Sequence, residues 1–247
     1  MRKSRPTKTS RRFICAVPEF LDIKHLDAGY GRSQVLFGVN IAIPLRGGVA
    51  ILGRNGAGKS TLMKAIVGEL PTWKGEVQFD GRDIKRCRTD ERVRAGIGYV
   101  PQEHSVFARL SVRDNLAVGS VFHRDASAVD RVMRMFPKLG QRLDQPAGTL
   151  SGGERKMLAI GRAMLGNPKL LLLDEPTEGV WIGVIEEITE RLSELARDIA
   201  VIIVEQHLDL AMRVADHTYV LDRGRVALSG PSQQLRGDPR LLAYLAP

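Results

Sequence analysis

The chain has 247 residues, of which 43% are hydrophobic and 26% are charged, a balance typical of one large α/β domain or two small ones. Its longest apolar runs fall far short of the roughly 20 residues that a membrane-spanning helix needs, which excludes an integral membrane protein. Cys15 and Cys87 are too few for a disulfide framework and lack the paired spacing of a zinc site, so a reducing compartment is favoured over an oxidising one.

The net charge of +9 is concentrated at the amino end of the chain. Residues 1–12 carry six basic side chains and no acidic one, and without them the net charge is only about +3, which is ordinary for a soluble domain. We therefore expect residues 1–19 to form a disordered basic extension and expect no direct nucleic-acid partner. Weak attraction to anionic lipid headgroups and an organelle transit peptide are the alternatives for this segment.

The ordered part of the chain is predicted to begin near residue 20 with strands that carry alternating or continuous apolar residues. These strands cover residues 20–26, 34–43, 48–52, 75–84 and 98–100. A glycine-rich turn follows the third strand and leads into a helix over 59–67, with Gly68 as its stop signal.

From about residue 103 to 166 the pattern becomes helical and polar, with Ser111 placed to cap a helix. We interpret this section as a helical insert. Strands and helices then alternate again and are followed by a hairpin. These elements are a strand at 169–173, a helix at 182–195, a strand at 199–204, a helix at 208–215 and a hairpin at 218–229 that turns at Arg223-Gly224. Buried strands separated by helices predict a parallel sheet covered on both faces, which is the α/β class.

The glycine-rich turn fits the pattern G-x-x-x-x-G-K-[ST] and lies in the required place, after a strand and at the start of a helix. Its glycines let successive N–H groups face one anionic centre, and the start of the helix adds a favourable dipole. Lys59 is placed to neutralise the β- and γ-phosphates of ATP, and Ser60 to offer its hydroxyl to Mg²⁺. The predicted nucleotide contacts of this loop are Gly53, Arg54, Asn55, Gly56, Ala57, Gly58, Lys59, Ser60 and Thr61.

Two acidic residues, Asp174 and Glu175, end the predicted strand of leucines. A buried strand presents its terminal carboxylates at the carboxyl edge of the sheet, where the phosphate loop also lies. We expect Asp174 to hold Mg²⁺ through water and Glu175 to polarise the attacking water as general base. On its own this pattern is weak evidence for a catalytic site, since many strands end in a solvated acid. Together with the upstream glycine-rich loop it is strong evidence.

A second glycine-rich motif, Leu150-Ser151-Gly152-Gly153-Glu154, opens a predicted helix. Ser151 and Glu154 have the spacing of a capping box, and the two glycines expose N–H groups at a helix start, which makes a second anion cradle. One fold rarely needs two cradles for one nucleotide, so we expect the second to serve a nucleotide bound by a neighbouring subunit.

These motifs, in this order, resemble those of the ABC ATPases over nearly the whole chain, from about residue 20 to residue 247. Leu150 to Glu154 is similar to the signature motif of that family. Tyr30 takes the place of the aromatic residue that stacks on adenine, and Gln102 that of the Q-loop glutamine, which serves both catalysis and the metal. The resemblance implies a P-loop NTPase core with a mostly parallel sheet, antiparallel strands at the amino end and a helical subdomain over about 103–166.

The resemblance also implies a head-to-tail dimer, in which Ser151, Gly152 and Gly153 of one subunit close over the ATP that Lys59 of the other holds. Its cofactors would be ATP and Mg²⁺. We expect Trp181, in a loop that lacks the aspartate common in this family, to make an apolar contact across the dimer.

The switch region departs from the general family pattern, which has a histidine two residues after the strand. Gln206 occupies that position after Val204, and His207 follows it. We align Gln206 with the switch and treat His207 as a solvent-side residue, although the reverse assignment stays open. A glutamine can donate to the γ-phosphate but cannot carry a proton, which leaves more of the hydrolysis to Glu175.

Three segments, Val204–Gln206, Glu178-Gly179 and Lys156–Ala163, resemble one subgroup, the smaller ATP-binding subunit of branched-chain amino acid importers. Urea and short-amide importers are near relatives. This implies a second ATP-binding subunit, two transmembrane permease subunits and an external substrate-binding protein, with this chain peripheral at the cytoplasmic face of the inner membrane. The alternative is a soluble ABC ATPase acting on nucleic acid or ribosomes, but such proteins commonly carry two ATPase units or long inserted arms. Lys59 and Glu175 together argue against a non-catalytic nucleotide switch.

Overall fold

The computed structural model describes residues 19–123 and 125–245. All but the last residue of the predicted basic extension therefore lies outside the described residues. Within the described part, no helix combines the length and the apolar character needed to cross a bilayer.

The described part of the chain forms ten strands and ten α-helices. The strands are β1 (Leu21–Tyr30), β2 (Ser33–Ile43), β3 (Gly47–Leu52), β4 (Thr72–Phe79), β5 (Arg82–Asp83), β6 (Ile97–Val100), β7 (Leu170–Asp174), β8 (Ala200–Val204), β9 (His217–Asp222) and β10 (Arg225–Pro231). The helices are α1 (Lys59–Val67), α2 (Thr89–Ala95), α3 (Val112–Gly119), α4 (Ala126–Met135), α5 (Pro137–Gly140), α6 (Gly152–Leu165), α7 (Ile182–Leu195), α8 (Leu208–Val214), α9 (Ser232–Leu235) and α10 (Pro239–Leu245).

The strands form two sheets. The larger has the order β10-β9-β3-β8-β7-β6, and all its neighbours are parallel except the hairpin of β9 and β10. That hairpin turns at Arg223 and Gly224, which have φ values of 46° and 75°, as a tight two-residue turn requires. The smaller sheet is antiparallel, in the order β2-β1-β4-β5. The mostly parallel sheet and the antiparallel amino-terminal strands are as predicted.

The core lies on both faces of the parallel sheet. In β7, Leu171 and Leu173 point to the layer formed with α6, α7 and α8, while Leu170 and Leu172 point to the layer formed with α1 and the antiparallel sheet. All four leucines have no exposed surface. Burial on both faces explains why this strand is continuously apolar rather than alternating.

Helices α3 to α6 follow one another between β6 and β7. Ser111 caps α3 by accepting a hydrogen bond from the amide of Asp114 at 3.0 Å. Helices α3 to α6 all lie within the predicted segment 103–166. The boundaries of a separate helical subdomain stay a prediction.

The carboxyl end of α1 is closed by a buried arginine from α2. Gly68 ends the helix with a φ of 85°, and Arg92, which is only 2% exposed, donates to the carbonyl oxygens of Ala65 at 2.8 Å and Ile66 at 2.7 Å. Its other nitrogens bind the carbonyls of Lys85 and Cys87. The guanidinium thus satisfies carbonyls that the end of a helix leaves without partners.

Candidate nucleotide-binding site

The glycine-rich loop runs from the end of β3 to the start of α1. Gly53, Gly56 and Gly58 have φ values of 148°, 79° and 103°, which favour glycine. A Cβ on Gly53 would also lie 2.3 Å from the carbonyl oxygen of Leu221. Helix α1 has no side-chain cap and no acidic residue in its first turn, so its first N–H groups are left for an anion.

Lys59 is the first residue of α1, directly after the loop, and has 5% of its surface exposed. Its ammonium group donates to the carbonyl oxygens of Gly53 at 2.8 Å and Arg54 at 3.1 Å, and it lies 4.0 Å from Oε1 of Glu175. Burial lowers the pKa of Lys59, while the carboxylate of Glu175 acts in the opposite direction. The loop therefore holds a desolvated positive charge close to its own backbone.

Asp174 ends β7 and is 1% exposed. Burial raises the pKa of Asp174, and a hydrogen bond from Ser60 partly offsets this. Its Oδ1 has no hydrogen-bond partner, although buried carboxylate oxygens normally have one. The described residues contain no cluster of three or more metal-binding side chains. One carboxylate beside a hydroxyl suits Mg²⁺, which keeps waters and takes its other ligands from phosphates.

Glu175 follows directly and is 5% exposed. Its φ is 48°, and its amide donates to the carbonyl oxygen of Val204 at 2.9 Å. Its Oε2 accepts hydrogen bonds from Nε2 of Gln206 at 2.9 Å and Nε2 of Gln102 at 3.2 Å. The predicted base and both predicted glutamines therefore meet at one carboxylate.

The two glutamines also reach other loops. Gln102 donates to Oε2 of Glu178 at 2.8 Å, and Gln206 donates to Oδ1 of Asn55 in the glycine-rich loop at 3.3 Å. His207 is exposed at the amino end of α8. The structure thus brings Gln206 to Glu175.

Sequence reasoning missed two buried residues at this site. Glu205, which is 2% exposed, accepts from the amide of Thr177 at 3.1 Å and from its hydroxyl at 2.7 Å. Burial raises the pKa of Glu205, and the bonds from Thr177 act against this. Lys156 donates to the carbonyl oxygens of Gln102 at 2.9 Å and Glu175 at 3.1 Å. The only local signal was a charged residue directly after an apolar strand or on an apolar helix face, and it did not identify the partners.

The second cradle forms the start of α6. The hydroxyl of Ser151 accepts from the amide of Glu154 at 3.3 Å, and Glu154 accepts from the amide of Ser151 at 2.9 Å, so the predicted capping box is present. A Cβ on Gly153 would lie 2.5 Å from Val184, whereas one on Gly152 would meet only Gly179, at 3.4 Å. Within the described part of one chain, no hydrogen bond or ion pair joins this cradle to the glycine-rich loop.

Two predicted contact residues are exposed. Tyr30 ends β1 with 46% of its surface exposed, and the ammonium of Lys64 lies 6.0 Å from its ring centroid. Trp181 is 74% exposed. Each presents an aromatic surface that a ligand or another subunit could cover.

The sheet order explains why these groups converge. Strands β3, β8 and β7 are adjacent and parallel, so the glycine-rich loop, Gln206 and the pair Asp174-Glu175 all follow the carboxyl ends of neighbouring strands. An anion cradle, a buried ammonium and two carboxylates at one edge are suited to phosphoryl transfer.

Comparison with known proteins agrees with this chemistry. A family model described as ABC transporter matches residues 36–178. The high-affinity branched-chain amino acid transport ATP-binding protein BraG of Pseudomonas aeruginosa is 39% identical over 87% of this chain and 95% of its own length. A probable branched-chain amino acid transport ATP-binding protein, LivF of Archaeoglobus fulgidus, is 37% identical over 85% of this chain and 91% of its own.

Solved structures lead to the same family. The ADP conformation of MJ1267, an ATP-binding cassette of an ABC transporter, aligns with a TM-score of 0.80 and 29% identity, covering 92% of this chain and 98% of that one. This likeness confirms the predicted P-loop NTPase architecture. The chain therefore belongs to the ABC transporter family, as one of its ATP-binding and ATP-hydrolysing subunits.

Proposed function

We propose that this subunit hydrolyses ATP to energise the uptake of branched-chain amino acids, or of related small amino acids and amides, through partner subunits in a membrane. The observation that supports this cargo is the similarity to two branched-chain amino acid transport proteins over nearly the whole chain. The chain's own Gln206, in place of the common histidine, and its Glu178-Gly179 loop support the same subgroup.

In the proposed ATP complex, Tyr30 stacks on adenine and the glycine-rich loop holds the phosphates. Lys59 exchanges its two carbonyl partners, Gly53 and Arg54, for phosphate oxygens, which are stronger acceptors because they are charged. The remaining contacts come from the loop amides and the first turn of α1, with Asn55, Gly56, Ala57, Gly58, Ser60 and Thr61 as the other members of the set.

Asp174, Ser60 and Gln102 are the residues proposed to hold Mg²⁺. The fit rests on the buried Oδ1 of Asp174, which lacks a hydrogen-bond partner, and on the Ser60 hydroxyl beside that carboxyl group. The nitrogen of Gln102 faces carboxylates, so its amide oxygen is left for the ion. When bound, Mg²⁺ would neutralise charge on the β- and γ-phosphate oxygens.

Glu175 is proposed as the general base that takes the proton of the attacking water. Gln102 and Gln206 donate to its Oε2 and orient the carboxylate, but an amide cannot accept a proton at neutral pH. Proton removal therefore depends on Glu175. Gln206 is the residue that would sense the γ-phosphate, since it also contacts Asn55 in the phosphate loop.

The second cradle is proposed to act between subunits. Ser151, Gly152 and Gly153 would close over the ATP of a second ATP-binding subunit, identical or similar, with exposed Trp181 in the contact. Two transmembrane permease subunits and an external substrate-binding protein would complete the transporter. This chain would then lie at the cytoplasmic face of the inner membrane, where the basic extension could meet anionic headgroups.

The test is uptake of labelled leucine, and separately of labelled urea, in a strain that lacks the gene. We expect the wild-type gene, and not its Glu175→Gln variant, to restore leucine uptake. Unchanged leucine uptake in the deletion strain would contradict the cargo. ATP hydrolysis by the purified protein that rises several-fold with RNA or DNA would instead favour the nucleic-acid alternative.

A further inference from the structure

Lys156 lies on the buried face of α6, in the second turn of the helix that Ser151 caps. It is 8% exposed, and its ammonium group donates to the carbonyl oxygens of Gln102 at 2.9 Å and Glu175 at 3.1 Å. Among the described residues these two carbonyls are its hydrogen-bond partners. One side chain therefore joins three segments: α6, the loop after β6 and the turn after β7.

One of these carbonyls belongs to a residue with an uncommon backbone conformation. Glu175 has a φ of 48°, in a region that a non-glycine residue adopts only where its surroundings enforce it. Three hydrogen bonds hold the backbone of this residue. Its amide donates to Val204 at 2.9 Å, and its carbonyl oxygen accepts from Lys156 at 3.1 Å and from the amide of Glu178 at 3.3 Å. Because the backbone sets the starting direction of the side chain, these bonds act together with Gln102 and Gln206 to position the Glu175 carboxylate.

The electrostatic surroundings suit a strong and lasting contact. Burial lowers the pKa of Lys156, while the carboxylates of Glu178, Glu205 and Asp174 act in the opposite direction. A charged donor makes stronger hydrogen bonds than a neutral one, and a low-dielectric site makes the loss of a partner more costly. Loss of either carbonyl partner should therefore be costly.

We propose that Lys156 is a positioning residue for ATP hydrolysis, which fixes Gln102 and the Glu175 backbone relative to α6. This inference rests on the roles proposed above for Gln102 and Glu175. Because Ser151 and Gly152 begin the same helix, any shift of α6 caused by the nucleotide of a second subunit would reach Glu175 through Lys156. Neither carbonyl is needed to bind ATP, so hydrolysis should depend on Lys156 while nucleotide affinity should not.

Lys156→Met tests this, because it keeps the apolar stem of the side chain and removes its donors. We expect kcat for ATP to fall about 10- to 100-fold, since a small misplacement of a reacting group has effects of this size. KM, and the Kd of a fluorescent ATP analogue, should change by no more than about 2-fold, as expected when ground-state binding is untouched. Lys156→Arg, which restores charged donors, should recover part of kcat.

Lys169→Met is the matched control. Lys169 is exposed at the opposite end of β7 and pairs with Asp80 at 2.7 Å, so this variant should keep the wild-type kcat. A folded Lys156→Met protein with normal kcat would overturn the proposal, and so would a loss of thermal stability alone. If Lys156→Met does not fold, Lys156→Leu, which also lacks donors, allows the same comparison.

Glu175→Gln, assayed in parallel, distinguishes a failure of the proposed ATPase site from a failure of the role proposed for Lys156. Normal hydrolysis in Glu175→Gln would refute the proposed function of the site. Lost hydrolysis in Glu175→Gln together with normal hydrolysis in Lys156→Met would refute only the role of Lys156.

Discussion

Nε2 of Gln206 donates to Oε2 of Glu175 across 2.9 Å, so the second residue after β8 orients the carboxylate after β7. Gln102 donates to the same oxygen at 3.2 Å. The carboxylate that is proposed to remove the proton from water is therefore held by two neutral amides. Its second oxygen faces Lys59.

Glu175→Gln is expected to bind ATP normally and to lose hydrolysis by at least about 100-fold, because only the general base is removed. The new amide oxygen can take the position between Gln102 and Gln206. The variant should accumulate as a closed dimer in Mg-ATP, which size-exclusion chromatography would detect. Glu190→Gln, the same change at an exposed position of α7, is the control and should remain monomer-like and active. Normal hydrolysis in Glu175→Gln would show that another residue is the base.

Gln206→His should leave hydrolysis intact or raise it, because an imidazole can donate to the γ-phosphate and can also carry a proton. His207→Ala should change little, since His207 is exposed at the start of α8. Steady-state ATPase assays on both variants decide between the two alignments. Loss of activity in His207→Ala, with a tolerant Gln206, would assign the switch to His207.

Asp174→Asn is expected to make the nucleotide-free protein more stable at pH 7 by about 1 kcal/mol, because it removes a buried charge with an unpartnered oxygen. Burial raises the folded-state pKa of Asp174 above its ordinary value of 3.8, so the folded state holds this proton more tightly than the unfolded state. The free energy of unfolding should therefore decrease as the pH rises from 3.8 through the raised pKa.

The measurement is urea unfolding without Mg²⁺ at a series of pH values from 3.8 upwards. Asp174→Asn should weaken the pH dependence, and Asp130→Asn, at an exposed position of α4, should not. The same substitution should abolish hydrolysis of Mg-ATP. A nucleotide-free Asp174→Asn protein less stable than the wild type would contradict the view that this carboxylate awaits a cation.

Arg92→Met should destabilise the fold by about 3 kcal/mol, because four buried or partly buried carbonyls lose their donor. Arg94→Met, on the same helix, removes an exposed ion pair with Asp90 and a cation–π contact 4.9 Å from the ring centroid of exposed Phe122. It should cost about 1 kcal/mol or less. Chemical denaturation of the two variants compares them directly. Similar losses in both would mean that the carbonyls find other partners.

The local motifs could be predicted because their structure depends on neighbouring residues. Glycines that need positive φ, followed by a helix start, identified the loop from Gly53 to Ser60, and Arg223-Gly224 identified the hairpin turn. Helix α2 was not predicted, since its seven residues show no apolar periodicity. Its stability comes from the buried Arg92 and from Glu91, which accepts from the amide of Arg88 at 2.6 Å.

Lys156 and Glu205 were missed for a different reason. The partners of Lys156 lie 54 and 19 residues away along the chain, and the partner of Glu205 lies 28 residues away. No local pattern carries such information. Only the packing of α6, β7 and β8 brings these groups together.

The arginine at the carboxyl end of α1 has a consequence for energy transduction. Arg92 satisfies the carboxyl end of α1 without any bound ligand. ATP would therefore bind to a preorganised helix, and little binding energy would be needed to order it. We expect α1 to keep the same conformation with and without bound nucleotide. Any nucleotide-driven movement that reaches partner subunits would then have to come from elements other than α1.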